Sequence, residues 1–136
     1  MKVLFISNDP SMLEPESPAL LRMREYSRAI GTLHIITPAK NNQEIHEDSL
    51  HVYGVVCTKI TRVQVLTQKA QHLIAYEAIE VVSAQDPFEH GLAAVRAVAG
   101  TRVKLHIQLH TDFLSPWFTR SGNFRAPRVP MPLLNA

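Results

Sequence analysis

The chain has 136 residues, a length that suits one domain with a substantial core and is too short for two nucleotide-binding domains. Its formal net charge of +2 and its 19% charged content are ordinary for a globular protein and argue against a dedicated nucleic-acid binder. The single cysteine, Cys57, excludes an internal disulfide. No apolar run approaches the roughly 20 residues of a membrane span, and residues 1–8 lack a secretory pattern. The sequence therefore predicts a cytoplasmic protein without a transmembrane segment.

Strands and helices alternate along residues 3–109. The apolar run 3–6 is typical of a strand that is buried on both faces, as parallel sheets require. Ser17 and Pro18 suit the N-cap and the first position of a helix, and Gly31 suits its end. The polar stretch 41–49 is predicted to be a surface loop. The other predicted strands are 33–36, 50–56, 81–83 and 103–109, and the other predicted helices are 63–74 and 88–99.

This alternation predicts an α/β fold, in which a doubly wound, mostly parallel sheet lies between two layers of helices. Because the run 3–6 is apolar on both sides, we expect it to be central, with the strands near Leu33 and Val81 as its neighbours. The last strand, 103–109, alternates apolar and polar residues. It is therefore either an edge strand with one solvated face or a strand whose polar face looks into a cleft.

Polar residues follow three of the predicted strands. Asn8 follows the first strand and Asp86 follows the fourth. His110 and Asp112 follow the last one. Because the carboxyl ends of parallel strands form a crevice at one edge of the sheet, we expect these residues to share a concavity. Asp86 has an alternative interpretation, as the N-cap of a helix that begins at Pro87.

The sequence predicts neither a metal site nor a cofactor. His106, His110 and Asp112 suggest a ligand cluster, but on a strand the two histidines lie about 13 Å apart, too far to share one ion. Residues 8–18 contain no glycine, and the chain has neither a dinucleotide-binding G-x-G-x-x-G motif nor a phosphate-binding lysine loop. The remaining histidines are interpreted as scattered surface or strand residues: His34, His46, His51, His72 and His90.

Two segments resemble one enzyme family. Residues 83–92 (SAQDPFEHGL) and 105–116 (LHIQLHTDFLSP) are similar to the N-terminal domain of family-4 glycosyltransferases. These are retaining, two-domain GT-B enzymes that transfer a sugar from a nucleotide sugar to an acceptor. The resemblance covers about residues 1–118 and is strongest over 81–117. It implies a Rossmann-like domain that serves hexose transfer from a nucleoside diphosphate to a glycan, a lipid or a small metabolite.

The resemblance also implies roles for individual residues. In the family, a histidine at the end of the matching strand contacts the transferred sugar, and this role falls on His110. Asp112 is the candidate for binding an acceptor hydroxyl, and Asp86 resembles a residue of the family's acceptor-side loop. Many members carry a glycine pair after the first strand, where this chain has none, so we expect weak phosphate binding or none at the loop that starts with Asn8.

The end of the chain does not match the family. From about Thr119 no strand or helix period can be counted, and three arginines and three prolines occur with no acidic residue to balance the charge. We expect residues 1–118 to form the domain and 119–136 to be an irregular basic tail. This tail indicates either an incomplete or frame-shifted product or a natural small protein with a disordered end. Because these residues encode no donor-binding domain, we expect the chain to be inactive without that domain or a partner chain.

A second hypothesis comes from a different class of protein. The chain is then a non-catalytic, flavodoxin-like binding or partner subunit, which pairs with another chain through the face that carries His106 and His110. A reading frame for a donor domain immediately downstream would favour the glycosyltransferase, and its absence would favour the subunit.

Overall fold

A six-stranded sheet runs through residues 1–108, the part of the chain that the computed structural model of this protein describes. Its strands are β1 (Lys2–Ile6), β2 (Thr32–Ala39), β3 (Gln43–His46), β4 (Leu50–Val56), β5 (Val81–Ala84) and β6 (Lys104–Ile107). They lie in the order β3-β4-β2-β1-β5-β6, and neighbouring strands are parallel except for the antiparallel pair β3 and β4. The predicted α/β fold with a doubly wound, mostly parallel sheet is therefore confirmed.

Helices cover both faces of this sheet. They are a short 3₁₀ helix (Pro10–Leu13), α1 (Pro18–Ile30), α2 (Arg62–Glu77) and α3 (Glu89–Val98). The 3₁₀ helix and α1 lie on one face, and α2 and α3 pack against each other on the opposite face. α1 begins as predicted, because Ser17 Oγ accepts a hydrogen bond from the backbone N–H of Leu20 at 3.1 Å. Gly31 ends α1 with a φ of 125°, a conformation that favours glycine.

β1 lies inside the sheet between the two neighbours that were expected for it. It pairs in parallel with β2 on one side and with β5 on the other. Leu4 and Ile6 are buried under α2 and α3, whereas Val3 is buried in the core that α1 and the 3₁₀ helix cover. Burial on both faces explains why the sequence of β1 is a continuous apolar run.

The prediction of a surface loop at 41–49 is wrong in part, because β3 lies there as an antiparallel edge strand. Of its residues only Ile45 is apolar, and this side chain packs at the margin of the α1 core. Backbone pairing with β4 holds the strand in place, with His46 opposite His51 and Glu44 opposite Tyr53. A short strand made mostly of polar residues carries no alternating apolar signal in the sequence.

Histidines from three neighbouring strands form a row across the sheet. His34 of β2 is in register with His51 of β4, which is in register with His46 of β3. The rings of His34 and His51 stack with centroids 4.8 Å apart, and the Nδ1 atoms of His46 and His51 are 2.8 Å apart. His34 is buried, and its Nδ1 lies 3.0 Å from the Tyr53 hydroxyl. The interpretation of these histidines as scattered is therefore wrong, because the register of the sheet brings them together.

Burial keeps the His34 ring uncharged. Desolvation, reinforced by the charge that His51 can carry, lowers the pKa of His34 to about 4. A histidine in an unfolded chain has a pKa of about 6.5. Between these two values the unfolded chain binds a proton that the folded chain excludes, so acid destabilises the fold.

We expect the contribution of His34 to the free energy of unfolding to be largest above about pH 6.5. It should fall by roughly 3 kcal/mol as the pH drops to about 4. His34→Asn should flatten this dependence, because asparagine does not titrate. His72→Asn, at an exposed position of α2, is the matched control. Urea unfolding at neutral and at acidic pH measures the slope, and an equally steep loss in His34→Asn would contradict this account.

Candidate functional site

The strand order reverses at β1, because β2 and β5 lie on opposite sides of it. The carboxyl ends of β1, β5 and β6 therefore open at one edge of the sheet. Asn8 follows β1 and Asp86 follows β5, so the structure places these two predicted site residues after neighbouring strands. The other two, His110 and Asp112, lie outside the described residues.

A cleft of about 490 Å³ opens at this edge, on the face that carries α1. We name it the switch-point cleft. Its polar lining comes from the loop after β1, from α1 and from the ends of β5 and β6: Ser7, Asn8, Asp9, Arg22, Tyr26, Gln85 and Gln108. Its apolar lining consists of Phe5, Met12 and Met23. An apolar concavity with a few convergent polar groups is typical of ligand sites.

Several polar side chains of the cleft are available to a ligand. Those of Asn8, Arg22 and Gln85 form no hydrogen bond or ion pair with another residue in the described part of the chain. The Gln108 side chain donates one hydrogen bond from Nε2 to Ser83 Oγ, at 3.3 Å. The cleft therefore offers amide donors and acceptors together with one guanidinium group.

A chain of hydrogen bonds fixes the loop that forms one wall of the cleft. The backbone N–H of Asp9 donates to Ser7 Oγ at 3.1 Å. Asp9 Oδ1 accepts from the backbone N–H of Ser11 at 3.0 Å and from its hydroxyl at 2.6 Å. The Ser17 hydroxyl donates to the carbonyl of Ser11 at 2.7 Å, and Ser17 also caps α1. The end of β1 is thus tied to the start of α1 without the help of a glycine.

Asp86 is not among the residues that line the cleft, and its carboxylate holds the start of α3 instead. Its Oδ1 accepts a hydrogen bond from the backbone N–H of Phe88 at 2.8 Å, and its Oδ2 contacts Nδ1 of His90. Burial disfavours the charged carboxylate, but the hydrogen bonds from His90 and Phe88 outweigh burial and lower the pKa of Asp86. The contacts are structural, but the prediction of Asp86 as the N-cap is wrong, because α3 begins at Glu89 and its N-cap is Phe88. Asp86 binds the N–H of that N-cap residue instead.

His90 is buried in the first turn of α3, where a surface position was expected. The expectation is wrong because α3 lies close to the preceding loop: a Cβ added to Gly91 would stand 2.9 Å from the carbonyl oxygen of Asp86. Nδ1 donates to the Asp86 carboxylate, and the buried Nε2 of His90 has no partner among the residues described. The four-residue spacing of Asp86 and His90 is the signal in the sequence for this pair.

Sequence reasoning missed most of the cleft. Gln85 and Gln108 directly follow β5 and β6, so the rule that selected Asn8 could also have selected them. Arg22 and Tyr26 are four residues apart and share a face of α1. Which way that face points depends on how α1 packs on the sheet, and no short motif records that direction.

Metal and membrane sites find no support in the described residues. Between residues 1 and 108, no group of three or more His, Cys, Asp or Glu side chains is arranged to hold a metal ion. Within the same range, no helix is both long and apolar enough to cross a membrane.

Two comparisons with known proteins found no match for this chain. No protein-family model matches it, and no curated protein shows significant similarity to it. The fold and the cleft therefore define an α/β protein with a polar concavity at the switch point of its sheet, and a narrower class is a matter of proposal.

Asp86→Ala should lower the free energy of unfolding by about 2 kcal/mol, because it leaves the Phe88 N–H and the buried His90 Nδ1 without their acceptor. Asp86→Asn keeps one oxygen for the N–H and should lose less. Asp48→Ala, at an exposed aspartate between β3 and β4, is the control and should change stability by no more than about 0.5 kcal/mol. Urea unfolding measures all three, and wild-type stability in Asp86→Ala would show that the pair does not hold α3.

Proposed function

We propose that this chain is the acceptor-side domain of a retaining GT-B glycosyltransferase and that the switch-point cleft receives the acceptor. The position and lining of the cleft carry the proposal, because the amide side chains of Asn8 and Gln85, which have no partner within residues 1–108, converge beside a tyrosine and two methionines at the carboxyl edge of the sheet. Amides both donate and accept hydrogen bonds, as sugar hydroxyls do. The resemblance of segments 83–92 and 105–116 to family-4 glycosyltransferases supports the same assignment.

The loop after β1 favours an acceptor over a nucleotide. Phosphate groups bind where backbone N–H groups at the start of a helix are free. At the start of the 3₁₀ helix this position is taken, since the Asp9 carboxylate accepts from both the N–H and the hydroxyl of Ser11. A diphosphate would have to displace a group of its own charge. We therefore place the nucleotide on a separate donor domain.

Sugar transfer also needs groups that stabilise the oxocarbenium-like sugar and the departing diphosphate, mainly through hydrogen bonds and positive charge. On the strength of the resemblance, we assign His110 to the transferred sugar and Asp112 to an acceptor hydroxyl. The proposed enzyme acts in the cytoplasm, uses a nucleoside-diphosphate hexose and needs no further cofactor. Without its donor domain the chain is proposed to be inactive.

The proposal is tested by pairing the full chain with candidate donor-binding domains of retaining GT-B enzymes. Release of nucleoside diphosphate from UDP-glucose or GDP-mannose should require both proteins and an acceptor. Gln85→Ala, which alters the cleft, should slow this release by roughly tenfold. Gln68→Ala, at an exposed position of α2, is the matched control and should not. Turnover that Gln85→Ala leaves unchanged would contradict the assignment of the cleft.

One observation favours the alternative of a partner subunit. β6 is an edge strand within the described residues, and its Leu105 is 39% exposed. An edge strand can pair with a strand from another chain. Under this alternative His106, which is exposed on β6, lies in the interface. Sedimentation of the purified chain tests pairing through this edge, because a subunit that pairs through β6 should self-associate whereas the acceptor domain should remain monomeric.

We expect the full chain to bind UDP or GDP weakly or not at all, because Asp9 occupies the start of the 3₁₀ helix next to Asn8 and residues 8–18 contain no glycine. Isothermal titration calorimetry measures this affinity. A micromolar dissociation constant would contradict the expectation, because roughly 8 kcal/mol of binding free energy would then come from this domain alone.

A further inference from the structure

We propose that the ligand of the switch-point cleft is a small anionic polyol, a sugar-sized hydroxylated compound that carries one carboxylate or one phosphate monoester, and that Arg22 binds the anionic group. The proposal rests on the function proposed above, because it names the chemical class of the acceptor for the same cleft.

Arg22 differs from the arginine two positions further along α1. The Arg24 guanidinium is held by the Glu47 carboxylate, with Nε 3.0 Å from Oε2 and a terminal nitrogen 2.8 Å from Oε1. Arg24 thus serves to tie α1 to the turn before β4. Arg22 points to the other side, lines the cleft and has no acidic partner among the described residues. A planar guanidinium with its donors free matches a carboxylate or a phosphate.

The cleft also contains the carboxylate of Asp9, and this negative charge is not paired with the positive charge of Arg22. Asp9 and Arg22 both line the cleft, yet no ion pair joins them. Asp9 Oδ1 is occupied by Ser11, which leaves Oδ2 as an acceptor. A ligand between the two residues is therefore oriented, with hydroxyl groups towards Asp9 and its anionic group towards Arg22.

The remaining lining suits the uncharged body of such a ligand. Tyr26 follows Arg22 by one turn of α1 and is 48% exposed, so its ring offers a flat surface beside the guanidinium. The buried Met12 and Met23 add an adaptable apolar wall. Asn8 and Gln85 can each donate to and accept from hydroxyl groups. Inorganic phosphate alone would use Arg22 and leave these groups without a partner.

The test is an NMR titration of the full chain with three matched probes: glucose, glucuronate and glucose 6-phosphate. Both anionic sugars should shift the backbone resonances of Asn8, Arg22 and Gln85 at concentrations roughly tenfold lower than glucose. This preference should weaken as salt is added. Inorganic phosphate is the fourth probe and should bind more weakly than glucose 6-phosphate.

Variants of Arg22 separate the charge from the fold. Arg22→Gln should remove the preference for anionic sugars, so that all three sugars bind as glucose does, and Arg22→Lys should keep part of it. Arg28→Gln, at an exposed position of the same helix outside the cleft lining, should keep the full preference. Because Arg22 and Arg28 are exposed, these variants should fold as the wild type does.

The outcomes distinguish this inference from the function on which it rests. Equal binding of glucose and the anionic sugars in the cleft, or a preference that survives in Arg22→Gln, overturns the assignment of Arg22 and leaves an acceptor site for neutral sugars. If inorganic phosphate binds as tightly as glucose 6-phosphate, the hydroxyl groups of the ligand contribute nothing, and the assignment of a polyol is overturned. If no sugar shifts any resonance of the cleft, the inference and the acceptor function both fail.

Discussion

Burial of β1 on both faces is the constraint on which the rest of the structure depends. A strand that is apolar on both sides has to lie inside the sheet, and here it separates β2 from β5. The crossovers that leave β1 and β5 pass to opposite faces of the sheet, α1 on one and α3 on the other. Between these divergent connections the carboxyl edge has no covering helix in the described residues, and the switch-point cleft forms there.

The two faces of the sheet are covered unequally, and this explains why the cleft lies on the side of α1. α2 and α3 together cover one face and share a core that extends from Tyr53 of β4 to Ile107 of β6. On the other face α1 packs mainly against β2 and β4, away from β5 and β6. The outer side of α1 then faces the open end of β1, which is how Arg22 and Tyr26 come to stand opposite Gln85 and Gln108.

The sequence was sufficient for those parts of the fold that depend on apolar periods and on local caps. The interior strands, the Ser17 cap and the neighbours of β1 follow from such patterns. The histidine row and β3 do not, because both arise from register between segments that are separate in sequence. Asn8 could be selected because it directly follows a predicted parallel strand. Arg22 could not, because its place in the cleft depends on how α1 packs on the sheet. The sequence left two roles open for Asp86, and neither is the observed one: its contacts with Phe88 and His90 support the start of α3, whose N-cap is Phe88.

The hydrogen-bonded loop between β1 and α1 bears on how selective the cleft can be. Hydrogen bonds link four residues of this loop one after another: Ser7, Asp9, Ser11 and Ser17. This wall of the cleft is therefore ordered before a ligand binds. Ordering a flexible loop on association would cost conformational entropy, and a loop that is already ordered avoids that cost. A wall without glycine also adapts less to ligands of a different shape. Discrimination here should therefore come from rigid fit on the side of the loop, while the long side chains of α1 adjust on the other.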